Sequence, residues 1–214
     1  MARRASYSPG TFSWVELITT DAAASAAFYE GLFGWRTDAD GVFRLGGDAV
    51  AGIARGNGPL SGWLNAVTVA DTDAGLVMDP QGAVLALRGP TARAAERVNE
   101  IGALCMNELL TPDLDAASAH YADALGWTTE AFGTGMRLVY NRGAVNASMI
   151  ATDAGPARWR PCFVVASPEA ALRRVEELGG RIVSGPIEIP DGVHAVAADP
   201  HGNELSLFHG QLDS

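Results

Sequence analysis

An α+β fold made of two tandem copies of one unit, the first copy shortened, is predicted for this 214-residue chain. Three observations predict it. FSWVELITTDAAASAAFYEGLFGW (12–35) lies on LCMNELLTPDLDAASAHYADALGW (104–127) without a gap, at an offset of 92. WLNAVTVADTDA (63–74) matches WRPCFVVASPEA (159–170) at an offset of 96, and Asp79-Pro80-Gln81-Gly82 matches Asp199-Pro200-His201-Gly202 at an offset of 120. The last two offsets differ by 24 residues, which the second half holds and the first lacks. Self-similarity at a fixed spacing marks a repeated supersecondary unit.

Each element follows in order. An apolar strand carrying one acid (Glu16, Glu108) reaches Thr-x-Asp, whose Asp21 or Asp113 caps an Ala-rich helix. The helix ends at Gly34 or Gly126, where a left-handed residue is expected. In the extra segment, Leu172, Val175 and Leu178 have helical spacing, with Gly179-Gly180 as the stop. Strand candidates follow at Arg181–Val183 and His194–Ala198, where the first half has only Gly75-Leu76-Val77. GPTARAAERVNEIG (89–102) reads as a polar linker carrying a short helix. The domains are therefore expected at residues 8–88 and 103–209.

Composition narrows the function classes. The chain is 48% hydrophobic with a net charge of −10, enough apolar material for a core and the wrong sign for nucleic acid or anionic membrane. It has fifteen basic residues, all arginine. The absence of lysine excludes a Schiff-base lysine, a lysine general base and a phosphate-loop lysine. Cys105 and Cys162 read as buried free thiols in a reducing cytoplasm. MARRASYSPG has no apolar stretch after its arginines, and no apolar run approaches a membrane span, so a soluble cytoplasmic protein is expected.

Strand, Thr-x-Asp, Ala-rich helix, Tyr, Gly-Trp, then a strand and Asp-Pro-x-Gly before a final strand, twice over, resembles the vicinal oxygen chelate superfamily. That group includes glyoxalases, extradiol dioxygenases and bleomycin-resistance proteins, and the two-domain actinobacterial glyoxalase-like proteins are the nearest likeness. The resemblance runs from Gly10 to Phe208 and implies paired βαβββ modules forming two cup-shaped mixed sheets around a small-molecule site. Metal-binding members carry a His or Gln seven residues before the capping Asp, where this chain has Trp14 and Met106. They carry a Glu four residues after the Gly of Asp-Pro-x-Gly, where this chain has Ala86 and Ser206. The remaining His position falls near Trp63–Leu64 and Trp159–Arg160. No metal and no cofactor is expected from these side chains.

Glu16 and Glu108 stand two residues beyond the lost ligand positions and share their strand face. Burial is expected to raise such a carboxyl toward a useful general acid or base. His194, at a strand start after Pro-Asp-Gly, is the third catalytic candidate. Trp14, Trp63, Trp159 and Met106 are candidate cup walls for a flat apolar guest. Arg137, Tyr140, Asn146, Ser148, Arg160 and Ser206 are candidates for orienting its polar groups. His120, His201 and His209 read as packing, turn and trailing positions, and GDAVAG (47–52) as a strand without a following helix.

Three functions are compatible with these residues: a metal-independent enzyme of bacterial metabolism, secondary metabolism included, that cyclises, isomerises or eliminates; a non-catalytic protein sequestering an antibiotic; and a metal-dependent glyoxalase or dioxygenase, which the ligand positions disfavour. The expected partner is a small apolar or aromatic molecule, with the chain a monomer or a homodimer.

Overall fold

The computed structural model describes residues 3–56, 61–71 and 75–212. The first copy runs β1 (Phe12–Thr19), α1 (Ala22–Phe33), β2 (Arg36–Thr37), β3 (Val42–Leu45), β4 (Asp48–Arg55), β5 (Gly62–Thr68), β6 (Gly75–Met78) and β7 (Val84–Arg88). The second runs β8 (Leu104–Thr111), α2 (Leu114–Leu125), β9 (Thr128–Ala131), β10 (Met136–Asn141), β11 (Ala144–Ala151), β12 (Arg158–Val164), α3 (Pro168–Glu177), β13 (Arg181–Ile189), β14 (Gly192–Ala198) and β15 (Glu204–Gly210). Both repeated helices start and stop where the sequence places the signals. Asp21 accepts from the Ala24 N–H and Asp113 from the Asp115 and Ala116 N–H groups, while Gly34 and Gly126 adopt φ of 72° and 70°.

The strands form two open mixed sheets, of order β2-β3-β4-β1-β5-β7-β6 and β9-β10-β11-β8-β12-β15-β14-β13. Written this way round, they correspond strand for strand. Among the described residues, the first lacks only the outermost strand, and its copy also lacks a helix corresponding to α3. Those two elements account for the shortening predicted from the offsets. The last residues of the 63–74 match, 72–74, lie outside the described residues.

The two copies do not pack separately. One core joins Phe28, Tyr29, Trp35 and Phe43 of the first copy to Phe163, Leu172, Val175 and Leu205 of the second. Another joins Phe12, Val67 and Leu85 to Tyr121, Trp127, Met149 and Trp159. The corresponding tryptophans fasten the two copies reciprocally: Trp35 Nε1 donates to the Gly102 carbonyl at 2.8 Å and Trp127 Nε1 to the Gly10 carbonyl at 2.7 Å.

The linker forms no helix, contrary to expectation. Its backbone is spent on the first copy instead: Ala95 N–H donates to Ser13 O and Glu96 N–H to Ala49 O, both at 2.8 Å. Ala95 is buried with Trp14, Val42, Ala49 and Ala66. Tertiary partners thus take the hydrogen bonds that a helix would have used.

Candidate functional site

Register decides which side chains share a face. Glu108 on β8 stands opposite Arg160 on β12 and Ser148 on β11, and Cys162 on β12 stands opposite Ser206 on β15. Val196, two residues from His194 on β14, is opposite Ser206. Because side chains two apart lie on one face, Met106, Glu108, Arg160, Cys162, His194 and Ser206 look the same way. Helix α2 lies on the other side of the sheet, with Leu109, Met149 and Trp159.

On that face Glu108 is the hub. Arg160 reaches its Oε2 with Nε at 2.9 Å and Nη2 at 2.7 Å, and Ser206 donates to the same oxygen at 2.6 Å. His194 Nε2 lies 2.9 Å from the other oxygen, Oε1. The charges continue outward: Arg160 Nη1 is 3.6 Å from Glu204, which Arg158 also binds at 2.9 Å. Burial pushes the Glu108 carboxyl up, but the His194 hydrogen bond, the Arg160 charge and the Ser206 hydroxyl outweigh it and hold the carboxyl at about 2. The sequence-based expectation of a raised pKa is therefore reversed, because burial came with partners.

An ionised Glu108 is a poor proton acceptor near neutrality, and it fixes the imidazole instead. His194 is the most open member of the trio, with 19% of its side chain exposed against 7% for Glu108 and 8% for Arg160. Because the ionised carboxylate can only accept, Nε2 is the nitrogen that donates to it, and Nδ1 is the ring nitrogen left for another partner.

A metal does not fit these donors well. Glu108, Cys162 and His194 bring ligand atoms within 4.8 Å of one another. However, the Arg160 guanidinium already neutralises the carboxylate, and the Cys162 thiol is pushed well up, first by its hydrogen bond with Cys105 and then by burial. A cation would face a fixed positive charge and a thiol that keeps its proton.

The first cup carries different side chains at most of the corresponding positions. The counterparts of Glu108, Ser148, Arg160, Cys162 and Ser206 are Glu16, Gly52, Leu64, Ala66 and Ala86, paired in the same register. The residue corresponding to His194 is Ala74, outside the described residues. Among the described residues, Glu16 has a loose ion pair, 3.7 Å from Arg88. Trp14 fills the space: a Cβ on Gly52 would stand 3.1 Å from its ring, and Arg88 lies over that ring at 5.8 Å.

The other sequence candidates lie elsewhere. Trp63 and Trp159 face away from the cups and donate from Nε1 to Tyr29 Oη at 3.2 Å and Tyr121 Oη at 2.9 Å. Arg137 binds Ser118 at 2.8 Å and pairs with Asp115, both on α2. The Tyr140 phenol, pushed up by burial and by Glu130, belongs with that residue. Asn146 bonds the Phe12 N–H and the Gly10 carbonyl across the copies. Met106, Ser148, Arg160 and Ser206 do join Glu108 and His194. Sequence reasoning left Cys162 and the Arg158–Glu204 pair out of the site. Comparing the partners of Glu16 and Glu108 copy by copy is the signal that would have found them. Two cavities, of about 270 and 340 Å3, lie at the junction of the copies and not over Glu108.

Comparisons with known proteins agree with this architecture. The profile of the family described as "Glyoxalase-like domain" matches residues 103–208. The chain is similar to "Putative glyoxylase CFP32" of Mycobacterium tuberculosis, 33% identical over 257 positions covering 97% of this chain and 98% of that one. That span exceeds the 214 residues present by 43, so at least that many aligned positions have no counterpart here. It is also similar to "Anthracycline biosynthesis protein DnrV" of Streptomyces peucetius, 29% identical, covering 94% of each chain. Among solved structures, the Mn(II)-bound glyoxalase of Novosphingobium aromaticivorans superposes with a TM-score of 0.67 at 15% identity, covering 97% of this chain and 83% of that one. The 2,3-dioxygenase LapB of a Pseudomonas species gives 0.63 at 12% identity, covering 95% and 93%. The chain belongs to the glyoxalase-like family of the vicinal oxygen chelate superfamily.

Proposed function

We propose that the chain is a metal-independent acid–base enzyme acting on a small, flat, largely apolar molecule of bacterial secondary metabolism. One observation carries the reading: His194 stands on an ionised, arginine-neutralised Glu108, 2.9 Å from Oε1, and is the more exposed of the two. In this reading His194 takes a proton from the substrate and returns it at another atom, which is the step a cyclisation, isomerisation or elimination needs. Glu108 holds the ring and balances the imidazolium that forms, as the carboxylate partner of a catalytic histidine does. Arg160 and Ser206 hold Glu108, and Met106 with Ser148 lies beside the substrate. The relatives named for anthracycline biosynthesis favour an aromatic polyketide ketone as the substrate class. The donor set described above supports a reaction without a metal.

The test uses chelator-dialysed protein with an anthraquinone-type ketone, binding read from tryptophan fluorescence and turnover from chromatography of the products. His194→Gln should bind as the natural chain does and lose about 10²–10⁴-fold in turnover. Tight binding with no turnover by the natural chain would favour the sequestering protein and overturn the proposal.

A further inference from the structure

We propose that Cys105 and Cys162 form a reversible intramolecular disulfide when a small peroxide reaches the chain, making the pair a modification site at the floor of the second cup. The inference is independent of the proposed reaction. It rests on three observations of geometry.

The first is proximity: the two sulfurs are 3.8 Å apart, and no other cysteine exists in the chain. The second is backbone freedom. Along the β8–β12 ladder, Cys162 pairs with Met106 and the next residue, Phe163, pairs with Leu104. Cys105 is thus the unpaired extra residue of a β-bulge, where the ladder is interrupted and the strand can bend. Bringing the sulfurs from 3.8 Å to the ~2.05 Å of a bond moves a residue that no ladder position holds in place. The third is access from one side only. Cys105 is half-buried and lines the junction cavity of about 270 Å3, together with Asn99, Asn107 and Asn146. Cys162 is buried at 2% exposure behind it.

This asymmetry gives each sulfur a role. The Cys105 thiolate attacks one peroxide oxygen, the O–O bond breaks, and the leaving hydroxide takes a proton to become water. The resulting sulfenic acid faces the Cys162 sulfur, which attacks it. The S–O bond breaks, and the departing hydroxide carries off the Cys162 proton as a second water. Two thiols have been oxidised by two electrons and one peroxide reduced to two waters. The nearness of the resolving thiol favours this ending over further oxidation, because a second peroxide must reach Cys105 before a sulfur 3.8 Å away does. Cys162 lies within 4.8 Å of the ligand atoms of Glu108 and His194, so the bond alters the wall against which those groups stand.

The experiment treats the full chain with about one equivalent of hydrogen peroxide, then unfolds it and counts free thiols beside an intact-mass measurement and a non-reducing peptide map. The expected result is a fall from two thiols to none, a mass lower by two hydrogens, a Cys105–Cys162 cross-linked peptide, and full recovery with dithiothreitol. Cys105→Ser should keep its Cys162 thiol unoxidised, while Cys162→Ser should gain oxygen at Cys105 and form no internal cross-link. Three results would overturn the proposal: the natural chain gaining oxygen at Cys105 with Cys162 still a thiol, a disulfide between chains, or two thiols left unchanged. If a serine variant fails to fold, the peptide map of the natural chain decides alone.

Discussion

A carboxylate at 5% exposure would cost several kcal/mol to desolvate alone, and Glu108 stays ionised because three partners meet it. Its carboxyl sits at about 2 against an ordinary 4.5, a depressed value in the folded chain. The stabilisation it contributes is therefore complete above about pH 4.5 and is lost as the pH falls toward 2. Its size is on the order of 3 kcal/mol. Urea unfolding followed from pH 6 down to pH 2 should show this loss, and Glu108→Gln should remove that part of the slope while lowering stability at pH 6. The recurrence of Glu16 and Glu108 was legible in the sequence. The direction of the pKa was not, because Arg160, His194 and Ser206 lie 52, 86 and 98 residues further along the chain.

At the level of elements, both capped helices and the added helix α3 with its strand were readable from local signals and offset arithmetic. Strand faces were harder. Placing the lost ligand position near Trp159–Arg160 leaves it uncertain by one residue, and one residue changes the face of a strand. The structure turns Arg160 toward Glu108 and Trp159 toward α2, where its Nε1 donates to Tyr121 Oη at 2.9 Å. Trp159 therefore acts as part of the helix–sheet packing, as Trp63 does against Tyr29. Trp159→Phe keeps most of the apolar contact and gives up the hydrogen bond, so it should cost about 1 kcal/mol in unfolding and leave ligand binding unchanged. Loss of binding with unchanged stability would return Trp159 to the cup. The linker escaped the sequence reading for a related reason, since its hydrogen-bond partners Ser13 and Ala49 are remote in the chain.

Across the whole molecule, duplication followed by divergence explains the inequality of the cups. The two cores each draw on both copies, so the shortened first copy remains indispensable to the second even though its own cup is filled by Trp14. The family resemblance was legible from motif order alone; the ion-paired hub around Glu108 became visible only when the sheet register was known. The fold is shared with a Mn(II)-bound glyoxalase, yet the groups gathered here are a neutralised carboxylate, a protonated thiol and an oriented imidazole. The most direct test of that claim is calorimetric titration of the chelator-dialysed chain with Mn(II) and with Zn(II), beside metal analysis of protein purified without chelator. No stoichiometric metal should bind or co-purify, and Glu108→Ala should not change that result. One equivalent of either ion, lost on Glu108→Ala, would contradict it.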